Sequence, residues 1–492
     1  MKRLPMSALL AVFLLASASL PATAAPRAET AAGCSADDFD GDGHDDVVVG
    51  DPLADAAGVR GAGAVHVVSA DGGKGIVLTP PDPQEGEAFG WAVRATHYDG
   101  DACLDVVVGA PYEDGGGRAD AGAVYVFHGG HTPPEVTRIS PPHPERNAHF
   151  GWSLAAAPAG ARPAVLAVGA PYEDADGTTD AGALYIYCAD ARGEPGTPKR
   201  VTQDAEGVVG NSEEGDMFGW SLVFGRLGGR ADSVDLVIGT PYENDDGVGK
   251  QGGSAGKPDT GAVEVIYDIA EQGNTYTSVN WGIPESVRDV PEHPGDRYGY
   301  ALAYAEFRGK PYLAASAPLA DAGGAADSGL VEIFQPDSAG KVRPVRTIRL
   351  GAEGLDGPAE AGAGLGWSLA MVGSDKDLCL AIGSPLDSRS GAEAGVIREV
   401  FLSGDHGERR LQLQEPRPHD HFGWSVAAYG ATAPYGPGTG LVAGVPDDTA
   451  APGGAVALLR EGRQTALLVP GRDGVPAVPQ GSSADFGAAV SG

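Results

Sequence analysis

Asp38-Phe39-Asp40-Gly41-Asp42-Gly43-His44-Asp45-Asp46 places carboxylates at the first, third, fifth and ninth positions of one short loop, with glycine at the sixth. Alternate side chains of such a loop point inward, so several hard oxygen donors can surround one cation, and Gly43 permits the sharp turn. The chemistry implied is calcium binding by Asp38, Asp40, Asp42 and Asp46, with the His44 carbonyl as a further donor. A helix–loop–helix site wants Glu at the twelfth position. Here that position is Val49, inside a β-branched run, so the loop belongs to a β-hairpin.

A decayed copy follows, with His97, Asp99, Asp101 and Asp105 at the first, third, fifth and ninth positions and Ala102 in place of the glycine. It is at most a weak second metal loop. A different acidic pattern recurs as Pro-Tyr-Glu-Asp, giving Glu113 and Asp114, then Glu173 and Asp174, then Glu243 beside Asn244. These tips are expected to form an acidic rim, a candidate partner face. Asp120, Asp180, Asp259 and Asp327 each stand two residues before a glycine; turn chemistry accounts for them, since a short carboxylate caps nearby N–H groups. Gly252 to Gly256 matches Gly-x-Ser-x-Gly only inside a Gly/Ser-rich stretch and not as a strand-to-helix elbow, and no His-Glu-x-x-His or phosphate-binding glycine loop is present. The histidines, among them His143, His149 and His421, have no nucleophile or carboxylate at fixed spacing.

These loops are positioned by a trio of motifs that recurs seven times. An aromatic-Gly pair stands at Phe89, Phe150, Phe218, Tyr298, Phe422 and Phe486, with Leu365 a degenerate copy. An apolar run ends at Pro52, Pro111, Pro171, Pro241, Pro318, Pro385 and Pro446. Glycine followed by alternating apolar residues begins at Gly63, Gly122, Gly182, Gly261, Gly329, Gly395 and Gly454. The first proline has no aromatic-Gly before it and the last aromatic-Gly has no proline after it. One repeat is therefore split between the two ends, as a closed ring requires.

Each repeat reads as four strands. Phe89 to Val93 is short and apolar, and reads as a strand buried on both faces. Leu104 to Gly109 is a β-branched buried run, which Pro111 ends because proline cannot donate to a ladder. Gly122 to Phe127 is a third strand, and Val136 to Ser140 a more polar fourth. A repeat of this length is one supersecondary unit. Four strands per unit, with no sustained 3.6-residue period, give an all-β fold: a seven-bladed β-propeller closed by a C-terminal strand that completes the first blade. Trp91, Trp152, Trp220, Trp367 and Trp424 follow the aromatic-Gly pairs, with Tyr300 in the fifth position. Their regular recurrence favours packing between repeats over a platform for sugars. The fourth repeat carries a longer loop, Gly/Ser-rich around Gln251 to Ser254.

Residues 1–24 read as a secretory signal, with Lys2 and Arg3, an apolar core from Ala8 to Leu20 and Ala22-Thr23-Ala24 at the cleavage site. A short linker, 25–33, precedes the propeller, 34–492. No later stretch is long and apolar enough to span a bilayer. The formal net charge of -33 argues against nucleic acid and suits solubility, cations or a basic partner. Four cysteines allow three pairings. Cys34 and Cys103, before equivalent runs of adjacent repeats, are the candidate disulfide, and Cys188 and Cys379 read as buried thiols.

The coupling of Phe-Gly with Val-Gly-Ala-Pro (Phe89-Gly90 with Val108 to Pro111), together with the Asp-rich loop, resembles the FG-GAP repeats of the integrin alpha-chain N-terminal propeller, over about residues 34 to 492. The resemblance implies calcium in the loop joining the first two strands of a blade, held here by Asp38, Asp40, Asp42, His44 and Asp46, and ligand contact on the opposite face. It departs from integrin alpha chains in having one good loop near its start and nothing beyond the propeller. Similar propellers also occur attached to a phospholipase D, whose catalytic domain has no counterpart here. The function expected is a secreted, non-enzymatic, calcium-binding adhesion module. It would be a monomer that meets an extracellular protein or cell-surface ligand, basic or cation-bridged. The alternative is a propeller hydrolase, or an accessory subunit of a secreted enzyme, acting at the central channel.

Overall fold

The computed structural model describes residues 34–492 except 35–36, 72–73, 158–163, 176, 191–192, 231–232, 245–255, 272, 274, 284–289, 352–354, 375, 404–406, 432–434, 449, 452, 473 and 478–483. The expected signal and linker, and the Gln251–Ser254 insertion, lie outside the described residues. Among the described residues, twenty-eight strands and one three-residue 3-10 turn at Ala322–Gly324 are assigned. Among the described residues no helix is long and apolar enough to cross a membrane.

The strands form antiparallel sheets of four in simple sequence order. In the second repeat, Ala92–Thr96 pairs with Asp105–Ala110, that strand with Ala123–His128, and the last with Glu135–Ile139. The same pattern repeats along the chain; two such sets, at 368–411 and 426–468, are joined by a single parallel bridge, Val372–Gly438. The first sheet differs. Its outermost partner on the Asp46–Asp51 side is Ala489–Ser491, from the far end of the chain, in register Val49 to Val490.

In the second repeat the second and third strands, Asp-Val-Val-Val-Gly-Ala and Ala-Val-Tyr-Val-Phe-His, are buried along their whole length. The fourth is mostly open to solvent. The first strand departs from expectation: Phe89 and Gly90 lie outside it, and it runs half-buried from Ala92. Gly90 has φ +98°, which breaks the extended chain and drops Phe89 into a lone parallel bridge with Gly63. Phe89 is fully buried there with Val65, Val93, Tyr125 and Phe127.

Apolar clusters lie between successive sheets, not within them. Phe150 packs with Val107 and Val124 of the second repeat's sheet and with Leu166 and Tyr185 of the third, which it precedes. The same holds for the first and last sheets, where Phe486 joins Val47, Val49 and Val68 to Tyr429, Val442 and Leu458. Backbones meet at these junctions. A Cβ on Gly109 would lie 2.1 Å from the Gly151 carbonyl oxygen, one on Gly50 2.1 Å from that of Gly90, and one on Gly444 2.0 Å from that of Gly487. Serine hydroxyls donate to the same oxygens, Ser153 to Gly219 at 2.6 Å and Ser425 to Gly487 at 2.7 Å.

Gly109→Ala should therefore cost about 3 kcal/mol of stability, the scale of severe overpacking. Gly273 is exposed, and a Cβ added there would meet nothing within 4 Å. Its stability should change by less than about 0.5 kcal/mol as Gly273→Ala. Chemical denaturation of the two variants checks this; equal stabilities would refute the steric account.

Candidate functional site

The Asp38–Asp46 loop is held by its own carboxylates. Asp38 accepts from the Gly41 N–H at 2.7 Å and the Gly43 N–H at 2.9 Å. Asp40 accepts from Asp42 N–H at 3.1 Å, and Asp42 from His44 N–H at 2.9 Å. This curls the chain so that one oxygen from each of Asp38, Asp40 and Asp42 lies within 4.8 Å of the others. Asp46 is outside that trio, its Oδ2 taken by the Phe39 N–H at 2.9 Å. Burial, and then repulsion from Asp40, Asp42 and Asp38, pushes the Asp46 carboxyl up to about 7, against that hydrogen bond. Burial and Asp42 likewise raise Asp40. Like charges gathered this closely are what a cation would relieve, and three convergent carboxylates fit a hard ion.

The loop is fastened to the second repeat. Phe39 is buried against Leu104 and Phe127. Leu104 N–H donates to the Asp38 carbonyl at 3.0 Å and Gly130 N–H to that of Phe39 at 2.7 Å. Cys34 and Cys103 are joined by a disulfide, with Cα atoms 5.1 Å apart. Cys379 is buried and Cys188 half-buried, both as free thiols.

The second loop converges differently from its sequence pattern. His97 turns to the Cys103 carbonyl at 2.9 Å, and Asp101 accepts from the Cys103 N–H at 2.8 Å. Asp99 and Asp105 are instead met by His128, whose Nδ1 stands 3.6 Å and 3.7 Å from them. Burial lowers the imidazole's proton affinity, but Asp105 and Asp99 outweigh it and leave the His128 pKa raised. His128 ends the third strand, and in the first repeat Ser69 ends the equivalent strand. No local motif announces the histidine; only strand pairing brings it to the loop.

The expected acidic rim needs correction. Glu113 is 2% exposed and Glu173 5%. Glu113 accepts from the Tyr125 hydroxyl at 2.7 Å and from Arg138 Nε at 3.0 Å. Glu173 does the same with Tyr185 at 2.7 Å and Arg200 at 2.6 Å. A carboxylate this buried needs charged and hydrogen-bonding partners, and these two glutamates tie the loop to the third and fourth strands. Glu243 is half-buried and bonded to Gln203 at 2.5 Å. Asp114 and Asp174 alone of the named tips are exposed, and each also accepts the N–H of the loop-closing aspartate, Asp120 or Asp180.

On this end, opposite the Asp38–Asp46 loop, the aromatic side chains form a chain of contacts from sheet to sheet. Trp91 meets Trp152 at 4.7 Å between ring centres, Trp152 meets Trp220 at 5.0 Å, and Trp220 meets Tyr300 at 5.9 Å. Tyr300 then meets Trp367, and Trp367 meets Trp424, each at 5.2 Å. They pack on one another, yet all six stay half-buried. Tyr112, Tyr172 and Tyr242 form a second tier against Trp91, Trp152 and Trp220, and Arg297 lies 3.6 Å over the Tyr242 ring.

Residues 30–68 and 89–127 match the model of the FG-GAP repeat. The chain is 30% identical to integrin alpha-PS2 of Drosophila melanogaster over 220 residues, covering 42% of this chain and 15% of that protein. It is also 30% identical to the human phosphatidylinositol-glycan-specific phospholipase D over 174 residues, covering 34% of this chain and 20% of the phospholipase. The chain thus spans a small part of these relatives. Among solved structures, the periplasmic gluconolactonase of Pseudomonas aeruginosa aligns over 90% of this chain and 98% of its own, with 14% identity and a TM-score of 0.43.

Proposed function

We propose that this chain of FG-GAP repeats is an exported, non-enzymatic binding module: a closed seven-bladed propeller, stabilised by calcium, that takes a basic ligand on an extracellular protein or cell surface. Closure is supported by the pairing of Ala489–Ser491 with Asp46–Asp51 and by the core shared between first and last sheets. The Cys34–Cys103 disulfide suits an oxidising compartment.

The observation that carries the binding role is the half-buried aromatic belt from Trp91 to Trp424. Aromatic faces attract guanidinium and ammonium groups, and a net charge of -33 draws a basic partner toward them. Arg297 over Tyr242 is an internal instance of the contact. Asp114 and Asp174, exposed at the same end, add local negative charge. A second reading, a hydrolase working from this end, has one observation behind it: Glu393, His419 and His421 converge there.

Calcium held by Asp38, Asp40 and Asp42, with Asp46 and the His44 carbonyl completing the set, would supply charge neutralisation and stiffen the contact between first and second repeats. Binding to the folded state alone stabilises it by about 2.7 kcal/mol when the ion is at a hundred times its dissociation constant. The wild-type melting temperature should therefore fall on adding a calcium chelator. Asp42→Ala should melt lower in calcium and show no chelator response; a variant that still responds like the wild type contradicts the assignment.

Tryptophan fluorescence at low ionic strength tests the belt. An arginine-rich peptide should perturb the emission saturably, the effect should weaken with salt, and the Trp152→Ala/Trp220→Ala variant should bind at least about tenfold more weakly, given roughly 1 kcal/mol or more per cation–π contact. Equal binding of a glutamate-rich peptide would overturn the reading.

A further inference from the structure

The junction between the sixth and seventh repeats carries a group that the other junctions lack among the described residues. In each of the first six repeats the backbone brings together three positions. They are the residue two before the glycine that opens the third strand, and those three and one before the next aromatic-Gly pair. The second repeat has Asp120, Asn147 and His149 there, tied by Asn147 N–H to the Ala119 carbonyl and His149 N–H to that of Asp120. The sixth has Glu393, His419 and His421, tied by His419 N–H to the Ala392 carbonyl and His421 N–H to that of Glu393. All six of these residues have positive φ, so that strain belongs to the frame and not to any site. What differs is the side chains. At other junctions the corresponding sets are Gly61, Gly86 and Ala88, then Asp180, Gly215 and Met217, then Asp259, Gly295 and Arg297, then Asp327, Gly362 and Gly364.

A fourth position completes the contrast. The residue after the proline of the following repeat is Tyr172 at the second junction, edge-to-face with His149 at 4.9 Å between ring centres. At the sixth junction it is Asp447, and its Oδ2 lies 2.7 Å from His421 Nδ1. That hydrogen bond places a proton on Nδ1, so that it is Nε2, 3.6 Å from Glu393 Oε2, that is left to meet an ion. His419 Nδ1 reaches the same Glu393 oxygen at 2.8 Å. Glu393, His419 and His421 each offer one donor atom within 4.8 Å of the others. A carboxylate behind a ligating histidine is the arrangement that fixes tautomer and raises ligand basicity at metal sites.

We propose that Glu393, His419 and His421 form a binding site for a divalent transition ion of the zinc class, with Asp447 orienting His421 from behind. Two imidazoles and one carboxylate select a borderline ion over calcium, which takes oxygen donors. His421 is 17% exposed, while Glu393 and His419 are 47% and 60% exposed. The ion therefore has direct access, and its remaining positions face solvent, open to water or to a partner's side chain. The site is separate from the calcium loop at the other end of the repeats and does not depend on the basic-ligand reading.

Isothermal titration of the chelator-stripped, calcium-reloaded full chain with zinc tests it. One saturable zinc equivalent is expected in the presence of excess calcium, unchanged in Asp42→Ala. His419→Ala/His421→Ala should abolish it, and Asp447→Asn should weaken it by about tenfold or more through loss of the outer carboxylate. His419 and Asp447 are exposed, so His419→Ala alone should weaken zinc binding with the melting temperature unchanged. Absence of saturable zinc binding, or binding that survives the double histidine substitution, would overturn the proposal and leave the group as an ion-pair cluster only.

Discussion

Successive sheets meet backbone to backbone, and that contact sets everything else. In six of the seven repeats (Gly50, Gly109, Gly169, Gly239, Gly383 and Gly444) the glycine at the end of the apolar run lies under the carbonyl of the glycine in the next aromatic-Gly pair, so close that a Cβ would crowd the oxygen's place, as at Gly109 beneath Gly151; the fifth repeat has Ser316 there. The approach couples two motifs that look independent in one dimension. Within a repeat, the same aromatic-Gly glycine donates its N–H back to the run, Gly151 to Gly169 at 3.0 Å. One glycine therefore fixes the sheet it begins and presses on the sheet before it. With the backbones this near, the neighbouring aromatic ring has nowhere to go but the gap between sheets, where Phe89, Phe150, Phe218 and Phe422 are fully buried.

The consequence for function is a division of labour between the two ends of each sheet. One end carries the hairpins between first and second strands, and there Asp105, which opens a second strand, turns in to accept the hairpin's Tyr98 N–H. Asp46 accepts the Phe39 N–H in the same way, but the hairpin expected there is replaced by a loop that enters the sheet, because the adjoining strand is Ala489–Ser491 from the far end of the chain. The opposite end carries the loops after the proline and the turns before each aromatic-Gly pair. There the side chains of neighbouring repeats interleave, Trp91 with Trp152 and His149 with Tyr172. Chemistry at that end is shared between repeats, so changing a few side chains at one junction can create a group such as Glu393, His419, His421 and Asp447 without disturbing the frame.

The strand order is legible in the sequence because proline, glycine and β-branched runs act through local backbone chemistry. Asp38, Asp40 and Asp42 are legible for the same reason: their spacing is itself the geometry, and the three do converge. Glu113 is not. Whether a loop carboxylate points out or in depends on its partners, and these are Tyr125 on the third strand and Arg138 on the fourth. His128 and Asp447 escape sequence reading on the same grounds, each meeting its partners only through pairing or docking of distant segments. The first strand starts a few residues later than its apolar pattern suggests. Phe89 is as apolar as a strand residue, while the positive φ of Gly90 leaves no mark on that pattern.

The proposed ring stands or falls on its seam. Gly487 N–H donates to the Gly50 carbonyl at 3.1 Å, Gly444 sits beneath the Gly487 carbonyl, and Phe486 is fully buried among residues of the first and last sheets. The most direct measurement is the thermal melt of a chain lacking residues 484–492. The account predicts a large loss of melting temperature or aggregation, since Phe486 alone contributes on the order of 3–5 kcal/mol by the usual cost of removing a buried phenylalanine and the Asp46–Asp51 strand would be left as an open edge. A truncated chain that melts like the full-length protein would contradict it.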